Sequence, residues 1–180
     1  RLFAAYQPIR HLPSGKDIFW EALARIRTPE GGVLEPADFM LDAAMQRQSS
    51  AIDLAIISQG LDMLYSFRDD ARYKDAFFAF NLSPSSLQDP EFFGAITAKM
   101  HACGVRPEKI VFEFSEHALL ADIHPVLPII NSLHQSGIRF AIDDFGAGAT
   151  SLRYLISLPL AFLKIDGSYI RELPTDPRSR

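Results

Sequence analysis

Ile138-Arg139-Phe140-Ala141-Ile142-Asp143-Asp144-Phe145-Gly146 is the stretch that decides the fold. Its first five residues are mostly aromatic, β-branched or small and read as a buried strand, Ile138 to Ile142. Two carboxylates follow where that strand ends. The pattern recurs along the chain. Phe77 to Leu82 carries Asn81 at its end, Ile110 to Phe114 carries Glu113 near its end, and Phe162 to Ile165 carries Lys164 and is followed by Asp166. Earlier, the apolar run Ile18 to Ile26 contains Glu21.

Between these runs the spacing of apolar residues is helical. Helices are expected from Pro36, with Phe39, Met40, Ala43, Ala44 and Arg47 at helical spacing, and then at Ala51 to Phe67, Pro90 to Cys103, Asp122 to Ser136 and, more briefly, Ser151 to Ser157. The opening, Phe3 to Ile9, reaches Ile18 to Ile26 through the turn Pro13-Ser14-Gly15 and reads as a hairpin-like pair. Repeated β-α units imply parallel strands, because such crossovers return the chain to the same end of the sheet. Periodicity alone suits either a barrel or an open doubly wound sheet. The polar residues favour the barrel, since barrel active sites are built at the carboxyl ends of successive strands.

Composition bounds what such a site can do. The chain has 180 residues, 48% of them apolar, enough for one domain with a real core. Its 18 basic and 22 acidic side chains leave a formal charge of -4, which offers no general field for a nucleic-acid polymer. Cys103 is the only cysteine, so no intrachain disulfide forms, as befits a reducing cytoplasm, and the residue reads as a small buried apolar side chain. No run reaches the roughly 20 apolar residues that span a bilayer, and no signal-peptide pattern opens the chain, so membrane contact by this segment is not expected. His11, His101, His117, His124 and His134 share no strand-end spacing and read as solvated or capping residues.

Glu21, Asn81, Glu113, Asp143, Asp144, Lys164 and Asp166 should therefore converge. Any one such acid is more often a helix cap or a solvated side chain, and Asp166, just before Gly167-Ser168, is especially open to that reading. Their joint occurrence on successive strands is harder to dismiss. Like charges in a partly dry site repel, and Lys164 alone does not balance four carboxylates. Oxygen donors without cysteine or histidine suit Mg²⁺ or Mn²⁺. The adjacent pair Asp143-Asp144 suits two ions flanking a phosphodiester.

These residues resemble the EAL domains, which hydrolyse cyclic di-GMP. Trp20-Glu21-Ala22-Leu23-Ala24-Arg25 carries the EAL signature. Tyr6-Gln7-Pro8-Ile9, Pro36 with Phe39, Asn81-Leu82-Ser83, Glu113-Phe114-Ser115-Glu116, Asp143-Asp144-Phe145-Gly146, Ser151-Leu152 and Lys164-Ile165-Asp166 match in order, so the resemblance covers essentially the whole chain. It implies an α/β fold, a modified TIM (β/α)8 barrel with an antiparallel first strand, of which about six of the eight strands are present. On this resemblance residues 1–180 form one EAL-type barrel domain that stops before the seventh and eighth βα units and the glutamate expected on the seventh strand. The implied activity, for the full-length parent, is metal-dependent hydrolysis of cyclic di-GMP to linear pGpG in bacterial second-messenger signalling.

The resemblance also implies roles. Glu21, Asn81, Glu113 and Asp143 correspond to ligands of a first metal, and Asp143 with Asp144 to ligands of a second. Lys164 would hold the attacking water, and Glu116 would position the loop after the aspartates. Arg25 corresponds to a phosphate clamp, and Gln7, Leu23 and Pro159 to nucleotide contacts. Ser115 replaces a usual threonine but keeps the hydroxyl, while Ala149 replaces a commoner aromatic and weakens the expectation of a regulatory homodimer. Fusion to sensory or cyclase domains is implied as well. The competing reading, especially for these 180 residues alone, is a catalytically inactive receptor that binds cyclic di-GMP in the same cleft without cleaving it.

Overall fold

The computed structural model describes residues 1–70, 73, 76–116, 118, 124–146 and 156–172. Its centre is one seven-stranded sheet in the order β1-β2-β4-β5-β6-β7. Strands β1 (Leu2–His11) and β2 (Lys16–Arg27) form a long antiparallel hairpin. Strands β4 (Phe77–Asn81), β5 (Ile110–Ser115), β6 (Arg139–Phe145) and β7 (Leu160–Ile165) follow parallel to β2. The first strand thus runs against the rest, and six principal strands are present, as expected. The seventh is the two-residue β3 (Val33–Leu34), which pairs with the end of β2 and is too short to leave a periodic signal.

Helices connect the strands. They are α1 (Pro36–Met45), α2 (Ser49–Ser66), α3 (Pro84–Leu87), α4 (Pro90–Cys103), α5 (Leu127–Gln135) and α6 (Gly167–Glu172). Helix α4 shows why sequence and structure agree on its bounds. Pro90 is pre-set for a first helical turn, the Asp89 side chain accepts the Glu91 N–H at 2.9 Å, and Gly104 at φ +63° closes the far end. Helix α5 starts at Leu127 rather than Asp122, which lies outside the described residues, as do Ser151 and Leu152. Among the described residues no helix is long and apolar enough to cross a membrane.

Alternation along each strand divides the core in two. One face of the sheet carries Ala22, Phe78, Phe80, Ile110, Phe112, Phe114, Phe140 and Ile142, packed against Ile57 and Leu61 of α2, Phe93 and Ile96 of α4 and Ile130 of α5. Gly60 lets α2 approach this face: a Cβ there would lie 2.3 Å from Phe80 Cε1. The other face is narrower, with Phe19, Ala79, Val111 and Ala141 buried beside Ile9, Phe77 and Phe162. Cys103 is half-buried rather than buried, because it ends α4 on the side facing Asp62, whose Oδ1 lies 3.8 Å from its sulfur.

Candidate metal centre

The second face continues, two residues further along each strand, into polar side chains. Glu21 follows Phe19, Asn81 follows Ala79, Glu113 follows Val111, Asp143 follows Ala141 and Lys164 follows Phe162. Cross-strand neighbours share a face, and the register sets Asn81 beside Glu113 and Ser115 beside Asp143. Five strands thereby deliver a polar group each to one point, Glu21 from the middle of β2 and the others from at or near their strand ends.

Lys164 is at the centre. Its Nζ donates to Glu113 Oε2 at 2.8 Å, Asp143 Oδ2 at 2.9 Å and Glu21 Oε2 at 3.0 Å. Asn81 Nδ2 donates to the other oxygen of Glu21 at 2.9 Å. Carboxylate oxygens of Glu21, Glu113 and Asp143 lie within 4.8 Å of one another. Burial pushes the Glu113 carboxyl up to about 7, against the lowering pull of Lys164 and with help from the charges of Glu21 and Asp143. Lys164 is raised: burial alone would lower it, but the carboxylates of Glu113, Asp143 and Glu21 outweigh that penalty.

The donor set fits a hard divalent cation. Metal–oxygen distances of about 2.1 Å place ligands on opposite sides of Mg²⁺ about 4.2 Å apart, close to the spread seen here. The same oxygens already enclose one cation, the ammonium.

The remaining expected residues are placed unequally. Asp144 is exposed, with φ +54°, and its N–H donates to Asp143 Oδ1 at 2.9 Å. It lies inside β6 rather than after it, and the three-carboxylate group is made without it. Partial desolvation, then Asp143 and Asp166, raises its carboxyl. Glu116 is 4% exposed, and its Oε2 accepts the Gly146 N–H at 2.7 Å. Gln7 stands directly across from Glu21 in the hairpin, on the same face. Leu23 lines a crevice with Pro36, Met40, Asp53 and Asn81. Arg25 is held by the Ala24 carbonyl at 2.9 Å and by Glu35 at 3.6 Å.

Two expected members stand apart. Asp166 caps α6, accepting the Ser168 N–H at 2.8 Å and the Ser168 hydroxyl. Pro159 immediately precedes β7. Five residues of extended chain carry it about 16 Å from Lys164, toward the amino end of the strand.

Asp53 is the residue that sequence reasoning missed. This buried acid of α2 accepts the Ser83 N–H and the Ser86 hydroxyl, both at 2.7 Å. It thereby fixes the turn after Asn81. Burial raises its carboxyl in spite of these bonds. An acid on the otherwise apolar, sheet-facing side of α2 was the available signal.

Fold and site together define an α/β protein with a mostly parallel sheet and an acid-lined centre toward the carboxyl ends of its parallel strands. The chain belongs to the EAL domain family, whose model matches residues 1–180. It is 30% identical over 178 residues to the cyclic di-GMP phosphodiesterase PdeB of Shewanella oneidensis, covering 98% of this chain and 21% of that protein. It is 31% identical over 173 residues to the cyclic di-GMP phosphodiesterase NbdA of Pseudomonas aeruginosa, covering 96% and 22%. The chain thus spans about a fifth of the length of these relatives. Among solved structures, the PaMucR phosphodiesterase in complex with c-di-GMP superposes with a TM-score of 0.91 at 29% identity, covering 99% of this chain and 72% of that one. The EAL enzyme Bd1971 in its cGMP-bound form gives 0.90 at 26% identity, covering 99% and 50%.

Proposed function

We propose that this domain hydrolyses cyclic di-GMP to linear pGpG with two divalent ions, Mg²⁺ or Mn²⁺, and does so within a longer signalling protein. The observation that carries the reading is the enclosure of one cation by Glu21, Glu113 and Asp143 at 2.8–3.0 Å. The named activities of the relatives point the same way.

In this reading Glu21, Asn81, Glu113 and Asp143 hold the first ion, and Asp143 with Asp144 holds the second. Bound divalent metal supplies Lewis-acid polarisation of the phosphate and a nucleophilic water at neutral pH. The chain's own groups do the rest. Lys164, a compact charge with three rotatable donors, would hold the attacking water and polarise the phosphate oxygens. Arg25 exchanges its long contact with exposed Glu35 for a phosphate. Gln7, beside Glu21, and Leu23, on the crevice wall, contact the nucleotide.

The test is turnover of cyclic di-GMP by the full-length parent under Mg²⁺ and under Mn²⁺, with pGpG resolved chromatographically and Glu21→Ala as the control. Product formed only with metal and lost in Glu21→Ala is the expected result. Binding without cleavage under both metals would make the domain a receptor instead.

A further inference from the structure

Gly146 is held through both of its peptide groups. Its N–H donates to Glu116 Oε2 at 2.7 Å, and its carbonyl accepts the Tyr169 hydroxyl at 2.8 Å. Glu116 follows β5, Gly146 follows β6, and Tyr169 sits on α6 after β7. Two hydrogen bonds therefore tie three consecutive strand ends together. A backbone bond from Asp166 N–H to Phe145 O, at 3.1 Å, reinforces the second tie.

The segment so held is a demanding one. Asp144 at φ +54° holds a left-handed conformation that is costly for a residue with a side chain, and two positions on Gly146 at φ +97° takes one that glycine adopts freely. The Tyr169 ring lies against Gly146 so closely that a Cβ there would come within 2.7 Å of its Cε2. Tyr169 is nevertheless 48% exposed, so burial does not explain its position.

We propose that Tyr169 is a positioning residue: with Glu116 it clamps Gly146 and so fixes the carboxylates of Asp143 and Asp144 for the second metal. Its role in catalysis rests on the phosphodiesterase reading above. Glu116 supplies the buried half of the clamp and Tyr169 the accessible half, linking the aspartate pair to the helix that follows Lys164.

Tyr169→Phe keeps the ring and removes only the hydroxyl, and partial exposure makes it tolerable to the fold. Three quantities are read on the full chain: hydrogen exchange at the Gly146 amide without metal, Mn²⁺ affinity by calorimetry, and kcat and KM for cyclic di-GMP. Expected are about two- to tenfold faster exchange at Gly146, the range of one neutral hydrogen bond, similarly weaker Mn²⁺ binding, and a lower kcat at unchanged KM. Unchanged exchange and Mn²⁺ affinity would overturn the assignment, and so would acceleration spread evenly over β5, β6 and β7 with a fall in Tm. The first two readouts need no turnover. A chain that never cleaves the dinucleotide yet shows both changes refutes the phosphodiesterase reading alone, while cleavage with neither change refutes the clamp alone.

Discussion

Lys164 and Glu113 meet at 2.8 Å across 51 residues of sequence, with the Glu113 side chain 2% exposed and that of Lys164 26% exposed. The pair is too buried to act as a surface salt bridge and too wet to act as a sealed one. Removing one partner of a buried pair costs about 3–5 kcal/mol, and an exposed pair is worth at most about 1. Lys164→Met should therefore destabilise the metal-free chain by roughly 2–3 kcal/mol. Mg²⁺ should raise Tm more in this variant than in the parent, since the ion then takes the place of the lost ammonium. An equal metal-induced rise in both proteins would show that the three carboxylates do not share one cation.

Glu113 predicts a pH dependence. Its folded carboxyl is raised from 4.5 to about 7, so between those values the folded chain holds a proton that the unfolded chain has lost. Stability of the metal-free chain should then fall as pH rises from 4.5 to 7 and level off above. Glu113→Gln should flatten that slope in thermal unfolding followed by circular dichroism. Protons should also compete with Mg²⁺ below pH 7, so that calorimetric binding at pH 6 releases a proton to the buffer.

Legibility in the sequence followed the physics of each residue. Glu113 and Asn81 were readable because strand alternation alone fixes their face, and four strands repeat the same design. Asp144 was only half readable: its position in the chain is plain, but its left-handed backbone leaves no mark beyond the glycine two residues on. Asp53 was opaque because its partners, Ser83 and Ser86, lie 30 and 33 residues away and meet it only once α2 has packed. Pro159 was assigned by resemblance, and the strand length that separates it from Lys164 appears only when β7 is seen to begin at Leu160.

Asp53 itself is testable. Asp53→Ala removes the acceptor of the Ser83 N–H and leaves the buried Ser86 hydroxyl only the longer contact with Ser83 Oγ at 3.1 Å, and should cost about 1–3 kcal/mol. Denaturant unfolding measures it. Loss of less than about 0.5 kcal/mol would mean that the turn after Asn81 holds itself.

Gly60→Ala sets two effects against each other. Alanine gains up to about 1 kcal/mol in a helix interior, but its Cβ would sit 2.3 Å from Phe80 Cε1 and 2.5 Å from Cζ, and overpacking typically costs about 1–3 kcal/mol. Phe80 is fully buried on the crowded face of the sheet, so the clash should win. A net loss of stability is expected, and a gain would show that Phe80 has room to swing aside.

Phe19, Ala79, Val111, Ala141 and Phe162 form a dry floor directly beneath the carboxylates. Phe19 and Phe162 meet edge to face at 4.6 Å, and Arg139 covers the outer surface of Phe77 at 4.3 Å. Among the described residues the carboxylates are thus backed by apolar side chains on the amino side of the strands, and an ion or a phosphate meets its oxygen ligands from the side of the loops that follow the strands.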